Sequence, residues 1–555
     1  MKNKNIYKKR YTVTAALPYA NGPIHIGHLS GVYLPADIFV RYLKYNGKKV
    51  IFISGTDEHG VPITIKAKEE GLTKKKIVDK YHILIKKSLK KIGILFDNFS
   101  RTTSKIHYKT SIYFFKKLYK KKKILERETE QYYDNKVNKF LPDRYILGIC
   151  PKCNYNIAYG DQCEKCGFSI SPEELIKPYS SFTGVKPILK KTKHWYLPLN
   201  KYKNFLEKCI KNKKKIKKNV YGQIKSLLNE GLKPRAITRD LNWGIPIPIP
   251  NNIGKVLYVW FEAPIGYISS TIEWSLKKGK NWKKYWKYTN TAIINFIGKD
   301  NIIFHCIIFP IMLKIHGNYI LPDNVPANEF LNIENKKIST SKKWAVWLHE
   351  YLEDFPNKED VLRYVLISNM PETKDTNFSW KDFKQKNNSE LVSILGNFVN
   401  RVVVLTKRYF NGKVPYSDKL SKKDLYILDN IKKSTLKIGF FIEKYNFKYA
   451  LIQFMNLARL GNKYLTLEEP WKKFKLNKKR VKTIIYISLQ IIGALGYLSN
   501  PFLPFTSKKI LKMLNLKKKK WNFILKSNEI VKPGLKLVEF NFLFKKIKNL
   551  IKNYE

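Results

Sequence analysis

The sequence predicts an α/β protein built on a parallel sheet, interrupted by an inserted cysteine-rich module and followed by an α-helical bundle. Three observations predict it. Short apolar runs that suit strands buried on both faces alternate with helical spacing near the N-terminus and again after residue 238. Between these two parts stand two CxxC pairs. From about Ser389 onward, apolar residues recur at three-four spacing.

Tyr11 to Leu17 reads as a buried strand, and the turn-formers Pro18-Tyr19-Ala20-Asn21-Gly22-Pro23 must end it. Helical spacing follows, with His25-Ile26-Gly27-His28 across the first turn. A strand that runs through a loop into a helix N-terminus makes an anion site, because unpaired backbone N–H groups and the helix dipole face outward. Two imidazoles add donors there, and Gly27 leaves room for a flat ring to settle on the backbone. Two capping or surface histidines are the plainer alternative. Against it, two of the nine histidines fall within four residues, at the place where phosphate would be held.

The helix continues to about Gly47, and a second buried strand, Val50 to Ser54, ends in Gly55-Thr56-Asp57-Glu58-His59-Gly60. Ligands of parallel sheets bind at the carboxyl ends of strands, so Asp57 is placed to hold an ammonium group, although helix N-capping suits it too. Between residues 119 and 238 the βα rhythm is lost. Cys150, Cys153, Cys163 and Cys166 lie there, nine residues separating the two pairs, and four thiolates satisfy tetrahedral Zn²⁺ with no open position. Disulfides are the alternative, disfavoured in a reducing cytoplasm. Cys209 and Cys306 are isolated and read as small hydrophobes.

The βα pattern returns near Thr238, with strands expected at Val256 to Phe261 and Ala292 to Ile297. The second ends in Gly298-Lys299-Asp300, and Phe304 to Pro310 should be helical. Aromatic residues at these strand ends and in that helix could form a concave apolar site. In the tail, Leu391, Ile394, Leu395, Phe398, Val402 and Leu405 give one apolar helical stripe, and the segments 450–465 and 483–498 behave alike. The chain is expected to end in basic helix, with no appended β domain.

The 555 residues carry 106 Lys and Arg against 43 Asp and Glu, a formal net charge of +63, and 14% are aromatic. Such a surface attracts a polyanion, RNA being the natural candidate, although the abundance of Lys, Ile, Asn, Tyr and Phe equally suggests an AT-rich coding sequence. The basic N-terminus is not expected to be a signal peptide, because its apolar run is cut at once by Pro18. Thr483 to Leu498 falls short of the roughly 20 residues needed to span a bilayer. A soluble, cytoplasmic protein is expected.

His25-Ile26-Gly27-His28 is the HIGH signature of the class I aminoacyl-tRNA synthetases, and the flanking Ala16-Leu17-Pro18-Tyr19-Ala20-Asn21-Gly22 resembles the methionyl members in particular. The resemblance implies a Rossmann-type catalytic domain in two halves, 1–118 and 239–328, split by a connective insertion with a zinc knuckle at 119–238. A region at 329–386 would hold the KMSKS-type loop and contact the tRNA stem, and 387–555 would bind the anticodon. It implies methionyl-adenylate formation from L-methionine and ATP, then transfer to tRNA(Met) for initiation and elongation of translation. Asp57 would take the amino group, and Ala16, Leu17, Tyr19, Trp260, Ala263, Pro264, Tyr267, His305 and Phe309 would complete the methionine pocket. A polarizable thioether suits such aromatic walls. Phe309 departs from the Trp of familiar bacterial members.

Lys336-Lys337-Ile338-Ser339-Thr340-Ser341-Lys342 aligns with the KMSKS loop, its second lysine replaced by Thr340. A mobile lysine-rich loop can neutralise charge that builds as pyrophosphate leaves. His25, His28 and Lys337 would be catalytic, and Gly27, Lys299, Ser339, Thr340 and Lys342 would also contact ATP. Zn²⁺ would be structural, one per chain, and Mg²⁺ would accompany ATP. Asn400, Arg408 and Trp471 would read the anticodon, with Val404 at a position expected to be polar. A monomer is the default.

Two rival readings share some of these features. Another class I synthetase would show a much larger editing insertion, or zinc ligands at the amino-acid pocket. A non-catalytic, zinc-stapled RNA-binding protein is favoured by Thr340 and opposed by intact His25, His28, Asp57 and His305.

Overall fold

The computed structural model describes residues 8–548, apart from 161, 162, 164, 167, 169, 171, 212–215, 251, 341, 342, 539 and 540. Strand β1 (Arg10–Ala15) is buried on both faces, as the central strand of a parallel sheet must be. Its two buried threonines keep hydroxyl partners, Thr12 on the Tyr285 carbonyl at 2.8 Å and Thr14 on the Asn295 side chain at 2.9 Å. With β2 (Lys49–Thr56), β3 (Asn98–Arg101), β4 (Thr291–Gly298) and β5 (Ala327–Asn328) it forms a five-stranded sheet. The spatial order is β5-β4-β1-β2-β3 and every pairing is parallel. The chain leaves β1 toward β2 on one side and returns as β4 on the other. That reversal opens a crevice at the carboxyl ends of β1 and β4.

After β1 the chain makes a helical turn, Ile26–His28, a π-helical turn, Leu29–Tyr33, and helix α1 (Leu34–Tyr45) without a break, with Pro35 where the π-helical turn gives way to α-helix. Between β3 and β4 lies the insertion. Its four-stranded sheet joins Arg235–Ala236, Ile188–Leu197, Leu125–Asp134 and Lys139–Phe140. A three-stranded sheet of Ile146–Ile149, Ala158–Tyr159 and Ile176–Ser180 carries the cysteines.

The expected strand from Val256 to Phe261 is corrected. Only Lys255–Leu257 is a strand, paired antiparallel with Thr238–Asp240 outside the main sheet, and Val259–Glu262 is helical. An apolar run this short fits a buried strand and a buried helical turn equally well. Helix α2 (Ile265–Lys278) follows directly.

The C-terminal bundle contains α3 (Asn397–Phe410), α4 (Lys422–Glu443), α5 (Phe447–Glu468) and α6 (Lys478–Leu498). Every residue of α6 from Thr483 to Leu498 is buried, so this long apolar helix is the core of the bundle. The basic terminal helix expected from the sequence is also corrected: the described residues after Lys526 contain none. Pro533-Gly534 breaks the segment, and side chains from the bundle take up its backbone groups instead. Gln490 Oε1 accepts from the N–H groups of Ile530 (2.8 Å) and Val531 (3.0 Å), and Asn388 Oδ1 accepts from Ile547 N–H at 2.9 Å.

Bundle and sheet domain are joined through a buried arginine. Arg363 donates to Asp37 of α1 at 2.7 Å and to the Phe502 carbonyl at 2.8 Å. Removing one partner would strand a buried charge, at about 3–5 kcal/mol. Gly439 of α4 faces Tyr42 of α1 so closely that a Cβ would stand 2.9 Å from the tyrosine hydroxyl.

Candidate active site

His25 caps the helical turn that starts at Ile26. Its Nδ1 accepts from Gly27 N–H at 3.1 Å, while His28 Nδ1 accepts from His25 N–H at 3.2 Å. A backbone N–H can only donate, so both rings carry their proton on Nε2. Burial holds His28 down at about 4, and burial followed by the neighbouring His28 holds His25 well below its ordinary value. Two neutral imidazoles, ring centroids 3.8 Å apart, therefore offer Nε2–H donors beside a helix N-terminus. Both line a cavity of about 330 Å³ at the crevice of the sheet.

Asp57 stands on the opposite wall. The Asp57 N–H donates to the Pro18 carbonyl at 2.8 Å, and Ala20 N–H donates to the Asp57 carbonyl at 2.8 Å, which locks the ends of β1 and β2 together. The carboxylate is buried, and its Oδ1 has no hydrogen-bond partner among the described residues. Burial, then the Glu262 charge, raises its pKa well above the usual carboxylate range. A cationic ligand would supply what this oxygen lacks.

The remaining wall is aromatic. Trp260 stacks on Phe304 at 3.9 Å and meets Tyr19 edge-on at 6.2 Å. His305 Nδ1 donates to the Asn301 carbonyl at 3.1 Å, so its Nε2 accepts from the Tyr267 hydroxyl at 2.8 Å. Burial keeps this ring neutral, its pKa lowered to about 4. Behind the wall, buried Glu262 accepts from His59 Nδ1 at 2.7 Å and from His107 Nε2. Burial alone would raise the Glu262 pKa, but the two imidazoles outweigh it and lower it.

The lysine-rich loop closes the cavity from a third side. A hairpin joins Leu331–Ile333 to Lys336–Lys337 through Glu334 and Asn335, both at positive φ, as a two-residue type I′ connection requires. Lys337 and Ile338 reach the cavity. The chain then returns alongside the histidine segment: Ile26 N–H donates to the Val346 carbonyl at 3.0 Å and Leu348 N–H to the Ile24 carbonyl at 2.9 Å.

Among the residues singled out in the sequence, Ala16, Leu17, Tyr19, His25, Gly27, His28, Asp57, Trp260, Ala263, Pro264, Tyr267, His305 and Lys337 all line the cavity. Phe309 does not. It is fully buried behind Tyr267, between that ring at 6.4 Å and Trp286 at 6.3 Å. Lys299 is occupied by Glu329 and Asp375, each at 2.9 Å. Ser339 pairs with the Trp344 backbone and Thr340 is exposed, neither on the cavity wall. Lys342 lies outside the described residues. Sequence reasoning missed Tyr33, Asp300, Phe330 and Ile338, which also line the cavity. Asp300 and Ile338 stood inside the segments flagged, whereas nothing marked Tyr33 or Phe330.

The sulfurs of Cys150, Cys153, Cys163 and Cys166 lie within 4.8 Å of one another, Cys150 and Cys166 at 3.9 Å and Cys153 and Cys163 at 3.6 Å. A tetrahedral site with Zn–S near 2.3 Å needs sulfurs about 3.8 Å apart, close to the two shorter separations, so the four thiols suit one metal ion. In the bundle, Trp471 is 39% exposed, with the Arg401 guanidinium 5.1 Å from its ring centroid. Asn400, Val404 and Arg408 recur every four residues along one face of α3, and Val404 and Arg408 are exposed.

A family profile described as class I (M) tRNA synthetases matches residues 11–403, and one described as the anticodon-binding domain of methionyl tRNA ligase matches 414–553. The methionine–tRNA ligase of Christiangramia forsetii is 56% identical over 555 residues, covering 99% of this chain and 80% of its own length. That of Flavobacterium psychrophilum is 57% identical over 544 residues, covering 98% and 79%. A solved Mycobacterium tuberculosis methionyl-tRNA synthetase in complex with methionyl-adenylate has the same fold, with a TM-score of 0.80 at 21% identity over 97% of this chain and 99% of that one.

Proposed function

The chain belongs to the methionyl class I tRNA synthetases, and from that premise we propose how its residues divide the work. It is an ATP-dependent ligase that joins L-methionine to AMP with release of pyrophosphate, then passes the methionyl group to tRNA(Met). The observation that carries the assignment of the site is the unpartnered, buried Oδ1 of Asp57, facing a cavity whose other walls offer aromatic rings and two imidazole N–H donors.

Asp57 takes the substrate ammonium. Trp260, Tyr267 and His305, with Ala16, Leu17, Tyr19, Ala263 and Pro264, enclose the thioether, which gains area burial and sulfur–ring contact. Phe309 acts at one remove, by backing Tyr267. His25 and His28 donate from Nε2 to the phosphates, Gly27 lets them lie close, and Lys337 neutralises charge as pyrophosphate departs. Lys299, Ser339, Thr340 and Lys342 join the ATP site when the loop moves over it. Lys299 must first leave Glu329 and Asp375. Mg²⁺ enters with ATP as part of the substrate.

Zn²⁺ held by Cys150, Cys153, Cys163 and Cys166 would staple the insertion and supply no open coordination position. Asn400, Arg408 and Trp471 bind the anticodon, Trp471 by stacking on an unpaired base. We place the enzyme in the cytoplasm, as a monomer, serving both initiation and elongation.

ATP–pyrophosphate exchange measured with each of the twenty amino acids tests this reading. Methionine alone should stimulate exchange. Stimulation by another amino acid, or by none, would refute it.

A further inference from the structure

Half-buried Lys217 takes no part in the chemistry above. It precedes the helix Lys218–Glu230 of the insertion, and its ammonium donates to Asn328 Oδ1 at 2.7 Å and to the Glu372 carbonyl at 3.3 Å. Asn328 ends β5, and its own amide donates at 3.2 Å to the carbonyl of Ser30, in the turn just after His28. The next residue, Glu329, lines the cavity and accepts from Asn219 of the insertion at 2.7 Å. On the other side, the buried Glu372 carboxylate accepts from the N–H groups of Phe447 at 2.5 Å and Lys448 at 3.1 Å, the first two residues of α5. A carboxylate there satisfies unpaired donors and meets the positive end of the helix dipole.

One ammonium thus touches both the strand end beside the cavity and the residue that caps a bundle helix, and it does so from the insertion. The three parts meet around a recess of about 470 Å³ lined by Lys217, Lys218, Glu372, Lys444 and Asn446. Burial lowers the Lys217 pKa to about 8, so the charge is kept here at a cost. An apolar side chain of similar length could fill the junction more cheaply. What the ammonium adds is direction, because its hydrogen bonds fix the angles at which their acceptors stand.

Resting on the reading that the bundle holds one end of the tRNA and the cavity receives the other, we infer that Lys217 is a positioning residue. By joining Asn328 to Glu372 it sets the orientation of α5 and the bundle against the cavity, so that the terminal ribose of a bound tRNA arrives at the adenylate.

The test uses the full chain with Lys217→Met, Lys217→Gln, whose shorter side chain cannot span both acceptors, and Lys217→Arg, measuring methionine-dependent pyrophosphate exchange and the kcat and KM of tRNA(Met) charging. In the first two variants charging kcat should fall at least about fivefold, an ordinary site-to-site coupling, while exchange and tRNA KM stay within about twofold. Lys217→Arg, which keeps the charge, should regain part of the kcat. A parallel fall in exchange would mean general structural damage, and parental charging would mean no coupling. Either overturns the inference, as does failure of the arginine to help. Should Lys217→Met not fold, Lys217→Gln decides by the same two readouts. A parent chain with no methionine-dependent exchange would instead fail the functional reading above.

Discussion

A Cβ on Gly27 would stand 2.8 Å from the Cδ1 of Ile338 and 2.9 Å from His25 Nδ1. The glycine of the histidine motif is therefore fitted to the lysine-rich loop as well as to its own cap. Gly27→Ala must push Ile338 outward or unseat the His25 ring, and either displaces a phosphate-binding group. A misplacement near 1 Å costs about a hundredfold in rate. Adenylate formation should fall by that order, with methionine binding in the absence of ATP little changed. An exchange rate close to parental would show that the contact yields freely.

Asp57→Asn should weaken methionine far more than ATP. The buried carboxylate is the ammonium's counter-charge, and an uncompensated buried charge costs about 3–5 kcal/mol. Because burial and Glu262 raise the Asp57 pKa in the empty site, methionine affinity should also decline as pH falls and the carboxyl takes up its proton. Calorimetric titration of each ligand against both proteins decides it. Equal losses for methionine and ATP would remove Asp57 from the ammonium site.

Much of this site could be read from local sequence. The ends of β1 and β2 show as apolar runs cut by turn residues, which puts His25, His28 and Asp57 where ligands of a parallel sheet bind, while Tyr19 comes from the family resemblance; all four line the cavity. What could not be read is set by contacts across long stretches of chain. Glu262 meets His59 across 203 residues and His107 across 155, and no periodicity encodes such a pairing. Phe309 lies one helical turn beyond His305, packed between the Tyr267 and Trp286 rings and off the cavity wall, and sequence spacing does not show that the Tyr267 ring stands in front of it. The helical turn at Val259–Glu262 and the lack of helix among the described residues after Lys526 escape the sequence for one reason. Short apolar or Lys-rich runs lack a distinctive period, and tertiary partners such as Gln490 decide their form.

One zinc per chain is expected in freshly reduced protein. Cys150→Ser should lose the metal together with tRNA charging, since the staple organises the small core around Cys150, Cys163 and Leu175. Metal analysis with a stoichiometry near zero would end the assignment.

Burial keeps five histidines neutral in the folded chain, His25 being held well below its ordinary value. It lowers His28, His82 and His305 to about 4 and His316 to about 3, with Arg101 and Lys117 adding to the effect at His82 and His316. Unfolded, each would protonate near pH 6.5. Below that value the unfolded chain binds protons that the folded one refuses, so stability is lost as pH falls from about 6.5 toward 4. Above it these groups contribute nothing. The melting temperature should therefore begin to drop below about pH 6.5, well before the carboxylates titrate. A flat profile from pH 7 to 5 would contradict the neutral assignments.

The final expectation concerns Trp471. It follows Pro470, and Glu469 before them adopts φ +40°, a left-handed turn that ends α5 and redirects the chain. The ring that results is too exposed to be core, and one contact on it is the Arg401 guanidinium. A cation beside an exposed indole holds the ring in place and adds positive charge next to it, which suits a nucleotide with its phosphate. Trp471→Ala should therefore weaken tRNA(Met) by the stacking of one base, about 1–3 kcal/mol, or roughly fivefold to 150-fold in charging efficiency. Pyrophosphate exchange needs no tRNA and should stay near parental. Arg401→Ala should give a smaller loss in the same direction, because it supports the ring without replacing it. Raised salt should weaken tRNA binding less in Arg401→Ala than in the parent, one phosphate-facing charge having gone. Collapse of exchange in Trp471→Ala would make the tryptophan a structural residue, and unchanged charging would remove it from the anticodon site.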